Sequence, residues 1–282
     1  MMKTIGLTFL WSVMMLSGAE RVLVHGHRGA RSVKPENTLS AFEYAISVGA
    51  DYLELDLAVT KDGVLVVSHD PLINESICQG PGGERMIHKL TLAEVKAWDC
   101  GSLKNKGFPK QEPVPGTKIP TFDEVLDLAK KSKTIRFNVE IKSDPKRPEL
   151  QPEPEEFARM TAAAIRKHKL EKRVIVQSFD FRTLHAMKKV APELTRCALY
   201  GGTPKSFLKI AEEAGGVSIV AAYFALVNAE EVSAVHAAGM QVVPWTPNTV
   251  EAWDKLLALK VDAIITDDPG VLIEHLKAKG LR

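Results

Sequence analysis

Glu54, Asp56 and His69, side chains able to hold a cation or move a proton, fall within one stretch, YLELDLAVTKDGVLVVSHD over residues 52–70. Glu54 and Asp56 alternate with Leu53, Leu55 and Leu57, the period-two pattern of a strand. Both carboxylates therefore leave one face while the leucines pack the other. Asp62-Gly63 separates this strand from a second apolar run, Val64–Ser68, which ends in His69-Asp70. Asp-Gly between two apolar strands predicts a two-residue hairpin turn. A parallel crossover needs a dozen or more residues, so the arms run antiparallel. With that turn Lys61 faces Val64 and Asp56 faces His69, gathering Glu54, Asp56 and His69 into one pocket. Two carboxylates buried together need a counter-charge, or one of them takes up a proton. The counter-charge is either a basic side chain, giving a buried salt bridge, or a divalent metal ion.

Strands and helices alternate along the rest of the chain. Strands are expected at Val22–His27, in the first arm of the hairpin (the Leu53–Leu57 alternation), and at Arg136–Lys142, Val174–Phe179, Thr195–Tyr200, Ser218–Tyr223, Gln241–Thr246 and Asp262–Thr266. Amphipathic helical patterns fill most gaps, including Glu36–Val48, Thr121–Lys131, Pro154–His168, Asp180–Val190, Ala229–Ala238 and Val250–Leu259. With Val64–His69 as the return arm of a hairpin, eight parallel strands remain. This predicts an α/β fold, a single parallel (β/α)₈ TIM barrel. The polar residues then fall at the C-terminal strand ends, where this fold builds its sites. They include His27-Arg28 after the first strand, Glu140 and Lys142 on the third, Gln177-Ser178, Trp245-Thr246 and Thr266-Asp267-Asp268. Residues 71–118 break the rhythm, with many prolines and glycines and one short helical pattern, Thr91–Trp98. A connection of that length is usually functional, and it starts beside His69, over the predicted mouth.

Composition bounds the function. A net charge of +2 with no basic run gives no sign of nucleic acid or an anionic membrane as partner. Residues 1–19 differ from the rest: Lys3 precedes an apolar run from Ile5 to Leu16, and Ser17-Gly18-Ala19 offers a small-residue cleavage site. This pattern predicts a secretory signal peptide, and hence a secreted or periplasmic protein. The apolar run is too short to span a bilayer, and residues 20–282 suit one barrel domain of about 250 residues. Cys78 and Cys100 are candidates for a disulfide in an exported protein, and Cys197, in an apolar run, reads as a buried thiol.

The residues carry a resemblance to a known family. In order along the chain stand His27-Arg28-Gly29, Pro35-Glu36-Asn37-Thr38, Glu54-x-Asp56, Thr60-Lys61-Asp62-Gly63, His69-Asp70 and Glu140-Ile141-Lys142. Gln177-Ser178-Phe179, Trp245-Thr246-Pro247-Asn248 and Ile265-Thr266-Asp267-Asp268-Pro269 complete the set. The chain resembles the glycerophosphodiester phosphodiesterase family over essentially its whole length after the leader. One departure stands in residues 71–118, where Asn74-Glu75-Ser76 replaces an Arg-Thr pair that many members carry; it bears on substrate preference.

The resemblance implies metal-dependent hydrolysis of a small glycerophosphodiester to glycerol 3-phosphate and an alcohol. Glu54, Asp56 and Glu140 would hold one divalent ion, Ca²⁺ or Mg²⁺, as hard oxygen ligands suit. Arg28 and Lys142 would hold phosphoryl oxygens. His27 and His69 would serve as general acid and base, and Trp245 would line the glycerol carbons. Two other functions remain open to the fold: a lipase-type hydrolase of lysophospholipids or phosphoinositides, and a non-catalytic phosphate-binding barrel. The first wants an exposed apolar rim, for which Ile73, Ile77, Trp98 and Phe108 are the candidates. The remaining polar residues have plainer readings. His25 reads as a core histidine and His88, His168, His185 and His236 as surface residues. Asp267 and Asp268 either cap the last helix, the plainer reading, or touch ligand. Glu36 and Asn37 stand at the start of the first helix on the catalytic side, where Asn37 either caps the helix or orients the site.

Overall fold

The computed structural model describes residues 21–282; the leader expected at residues 1–19 lies outside them. Its strands are β1 (Leu23–Gly26), β2 (Tyr52–Val59), β3 (Leu65–Val67), β4 (Arg136–Ile141), β5 (Val174–Ser178), β6 (Thr195–Tyr200), β7 (Ile219–Ala222), β8 (Gln241–Val242) and β9 (Ala263–Thr266). The helices are α1 (Leu39–Ser47), α2 (Leu92–Ala97), α3 (Phe122–Leu126), α4 (Pro154–Lys167), α5 (Phe181–Val190), α6 (Phe207–Glu213), α7 (Ala229–Ala237), α8 (Val250–Ala258) and α9 (Pro269–Ala278). The parallel strands run in the order β8-β7-β6-β5-β4-β2-β1-β9, with β3 paired antiparallel to β2. Ile265 N–H donates to Pro244 O at 3.0 Å and Asp262 N–H to Val242 O at 3.2 Å, bringing β9 back to β8. The fold is thus the parallel (β/α)₈ barrel expected. The seventh barrel strand, expected over Gln241–Thr246, is short because Pro244 has no N–H to give a ladder.

Alternation along each strand divides the core in two. Leu53, Leu55 and Leu57 of β2 join Phe137, Val139 and Ile141 of β4 beneath the helices. Tyr52, Ile175, Cys197, Ile219 and Ile265 fill the barrel interior. Glu54 and Asp56 share the inward parity of Tyr52, and their pattern alone placed them there.

The hairpin differs from its expected register. Leu57 pairs with Val67 and Val59 with Leu65, so Asp56 faces Ser68, whose N–H donates to Asp56 O at 3.0 Å, and not His69. The turn holds three residues, Lys61-Asp62-Gly63, because Thr60 closes it from both sides. Thr60 N–H donates to Val64 O at 3.0 Å, and the Thr60 hydroxyl accepts from Val64 N–H at 2.9 Å. Gly63 takes the left-handed conformation, φ +76°, that such a loop requires. His69 lies just past the end of β3 and still reaches the same cleft.

Residues 71–118 build a small core of their own. Ile73, Ile87, Val95 and Trp98 pack on Ala58 and Val66, the outer face of the hairpin. Ile73 and Trp98 are buried and Ile77 and Phe108 half-buried, so none of the four candidates stands fully exposed. Cys78 and Cys100 form a disulfide, and Cys197 is a buried free thiol. Reduction is expected to lower the melting temperature, since closing a loop of this size contributes about 3 kcal/mol in the chain-entropy account. A melting temperature indifferent to reductant would show that the cross-link adds nothing.

Candidate active site

At the C-terminal ends of the strands lies a cleft of about 240 Å³ lined by His27, Arg28, Glu54, Asp56, His69, Glu140, Lys142 and Trp245, the eight residues singled out from sequence. Glu54, Asp56 and Glu140 each offer an oxygen within 4.8 Å of the others, and all three are buried. The β2–β4 register pairs Asp56 directly with Glu140, which makes the cluster a product of parallel pairing. Three buried carboxylates facing each other form a donor set suited to a hard cation.

Each carboxylate is held. Glu54 Oε2 accepts from Arg28 N–H at 2.9 Å and Oε1 from Gln177 Nε2 at 2.9 Å, while Asn138 Nδ2 donates onward to Gln177 Oε1 at 2.9 Å. Asp56 Oδ2 accepts from Asn37 Nδ2 at 2.9 Å. The backbone is bent to allow this: Arg28 at φ 48° and Asn37 at φ 56° sit in the left-handed region, a cost of about 1–2 kcal/mol for a residue with a Cβ. Gly29 between them lies so close to α1 that a Cβ would meet Ala41 C at 2.7 Å. Asn37 is therefore not the helix cap. Thr38 caps α1, accepting from Ala41 N–H.

Cations share the cluster. Lys142 Nζ lies 3.0 Å from Glu140 and 3.8 Å from Asp56; Arg28 Nε lies 3.5 Å from Asp56, and Arg28 Nη1 is 2.5 Å from Glu36. The basic partner and the carboxylate cluster thus coexist. Burial would raise Asp56, but Arg28 and Lys142 beside it hold it below the ordinary carboxylate range. Burial pushes Glu140 up to about 7, with Lys142 opposing and Asp56 reinforcing the rise. Glu54 is raised by burial and by Asp56 as well. Three acids in one dry site cannot all ionise cheaply without more positive charge.

Both histidines lean on carboxylates. His27 Nδ1 is 2.5 Å from Asp267 Oδ1, and His69 Nδ1 is 2.7 Å from Asp70 Oδ1. Asp70 is steadied by Asn74 Nδ2 at 3.0 Å, and Asp267 by Asn248 Nδ2 at 2.7 Å. A carboxylate that accepts from Nδ1 leaves Nε2 free for proton transfer. Asp267 is the residue whose part the sequence hid. Of the two acids read as caps, Asp268 caps α9, accepting from Val271 N–H, and Asp267 turns back to His27. No local pattern separates the two, since the contact spans 240 positions.

The remaining residues find quieter places. His25 is buried, stacks on Tyr52 at 4.2 Å and is pushed down to about 3 by burial. His185 and His236 are exposed, whereas His88 and His168 are half-buried, so neither of these two is a true surface residue. Trp245 donates Nε1–H to Ala221 O at 3.0 Å and meets Phe179 edge-on at 5.5 Å, facing the cleft from the side opposite the hairpin. Among the described residues no helix is long and apolar enough to cross a membrane.

Comparison with known proteins agrees with this geometry. A sequence model of the glycerophosphoryl diester phosphodiesterase family matches residues 27–271. The chain is 35% identical over 260 residues to a glycerophosphodiester phosphodiesterase of Caldanaerobacter subterraneus subsp. tengcongensis, covering 92% of this chain and 100% of that protein. It is 33% identical over 277 residues to a glycerophosphodiester phosphodiesterase of Bacillus subtilis, covering 94% and 89%. The crystal structure of a candidate glycerophosphoryl diester phosphodiesterase from Silicibacter pomeroyi superposes with a TM-score of 0.86 at 31% identity, over 93% of this chain and 95% of that one.

Proposed function

The chain belongs to the glycerophosphoryl diester phosphodiesterase family, and on that premise we propose that its cleft hydrolyses glycerophosphodiesters to glycerol 3-phosphate and an alcohol. One observation carries the reading: a single cleft holds three buried carboxylates, two carboxylate-supported histidines and two cations. Glu54, Asp56 and Glu140 would hold one divalent ion, Ca²⁺ or Mg²⁺. Bound there, the ion would polarise a phosphoryl oxygen and lower the pKa of a neighbouring hydroxyl.

The chain's own groups do the rest. Arg28 and Lys142, the two cations lining the cleft beside the carboxylates, hold phosphoryl oxygens. One histidine of the pair takes the proton of the attacking oxygen: water attack gives glycerol 3-phosphate directly, whereas attack by the glycerol 2-hydroxyl gives a cyclic phosphate that water then opens. The other protonates the leaving alcohol oxygen as its bond to phosphorus breaks. Asp267 and Asp70 keep each ring in the orientation and tautomer that exposes the working nitrogen. Trp245, with Phe179 and Leu199, packs the glycerol carbons.

Export belongs to the same proposal. The leader pattern of residues 1–19 and the Cys78–Cys100 disulfide both suit an oxidising compartment. Amino-terminal sequencing of the exported protein is expected to begin at Glu20.

The deciding assay is release of glycerol 3-phosphate from glycerophosphocholine by metal-stripped protein, before and after adding Ca²⁺ or Mg²⁺. Turnover is expected to return with one of these ions. A folded protein that stays inactive with both would overturn the proposal.

A further inference from the structure

Beside the catalytic cleft, the connection from β4 to α4 shapes a second groove, and we propose that it binds the alcohol half of the substrate and favours a polyol. The inference rests on the hydrolase reading above and goes on to name the kind of leaving group. The groove encloses about 220 Å³ and runs from Pro71, two residues after His69, along Lys142 to Arg147 and Gln151. Lys142 lines both the groove and the catalytic cleft, so the two adjoin. The apolar wall of Trp245 and Phe179 lines the cleft but not the groove. A diester held at its phosphoryl group by Arg28 and Lys142 can therefore lay one arm on that wall and pass the other across Lys142.

The lining states what the second arm should be. Gln151 is only 8% exposed, and its Nε2 has no hydrogen-bond partner. Its amide cannot simply turn over, because Oε1 accepts from Val59 N–H at 3.2 Å. A buried donor left unpaired is unusual, and an acceptor brought by a ligand would satisfy it. Arg147 lies at the rim with Nε 3.5 Å from Glu149, leaving the other donors of its fork available. Asp144 adds an acceptor to the same rim. Donors and an acceptor around one groove match hydroxyl groups, which do both. Among the described residues no aromatic side chain lines the groove, so they offer nothing to a quaternary ammonium.

The test compares kcat/KM of the full chain, with its metal, on glycerophosphoglycerol and glycerophosphocholine. The wild type is expected to favour the polyol. Arg147→Ala should lower kcat/KM for glycerophosphoglycerol about tenfold, the usual worth of one charge-assisted hydrogen bond, chiefly through KM. Turnover of glycerophosphocholine should stay within about twofold. Gln151→Glu keeps the acceptor for Val59 and replaces the donor with an acceptor, so it should act in the same direction; its melting temperature reports on folding. Equal loss on both substrates, or no loss on either, overturns the subsite and leaves the hydrolase reading standing. A wild type that turns over neither diester overturns the hydrolase reading, and the subsite with it.

Discussion

Glu54→Gln is expected to reduce turnover to the level of the metal-stripped protein, whatever the concentration of divalent ion. The substitution keeps shape but removes one of the three charges in the carboxylate cluster. It also turns an amide NH₂ toward a donor, because both Glu54 oxygens already accept, from Arg28 N–H and Gln177 Nε2. The variant's melting temperature should gain little when metal is added. Undiminished metal-dependent turnover would remove Glu54 from the ion's ligands.

The same cluster sets a pH dependence. Burial and Asp56 raise Glu54, and burial brings Glu140 to about 7, both above the ordinary carboxylate range. A carboxyl raised on folding holds its proton more tightly in the native state than in the unfolded chain. Its stabilising effect is complete below the unfolded value and lost as pH rises toward 7. The metal-free protein should therefore lose stability from this source across pH 4.5 to 7. A bound cation competes with those protons, so metal should raise the melting temperature more at pH 8 than at pH 5.5. An equal gain at both values would contradict the protonated cluster.

His27→Ala and His69→Ala are each expected to lose at least ~10²-fold in kcat, the usual scale for a general acid or base. The double variant should lose less than the product, because the two act within one reaction. Loss from one substitution alone would mark the other histidine as structural. The carboxylates behind them offer a finer readout. Burial lowers the His27 pKa and its hydrogen bond to Asp267 opposes that. Asp267→Asn should thus shift the limb of the pH–rate profile governed by His27 to lower pH, which a merely structural role would not do. A profile that keeps its shape would detach Asp267 from the reaction.

Much of this was legible because strand periodicity is local. The alternation in residues 52–57 and 136–142 is enough to send Glu54, Asp56 and Glu140 to one face of their strands, and eight strand patterns with helices between them leave a parallel barrel as the natural closure. Caps are also local, yet the sequence pattern puts the start of the first helix at Glu36-Asn37, one or two residues before Thr38, which caps α1. The hairpin register shows where local reasoning ends. Asp62-Gly63 suggested a two-residue turn, but the Thr60 hydroxyl reaches Val64 N–H and widens the loop by one, so Asp56 meets Ser68.

By itself, then, the sequence determined which side chains face the inside of the barrel and which chemistry they can perform, since period and residue type reside in neighbouring positions. Tertiary structure alone decided who supports whom. Asp267 turns to His27 while Asp268 caps the helix; Asn37 leaves the helix start to hold Asp56; Gln151 fastens the hairpin from the far side of β4. The pairs Asn37–Asp56, Gln151–Val59 and Asp267–His27 lie between 19 and 240 positions apart. Only closure of the barrel, which brings the strand ends to one rim, makes them neighbours.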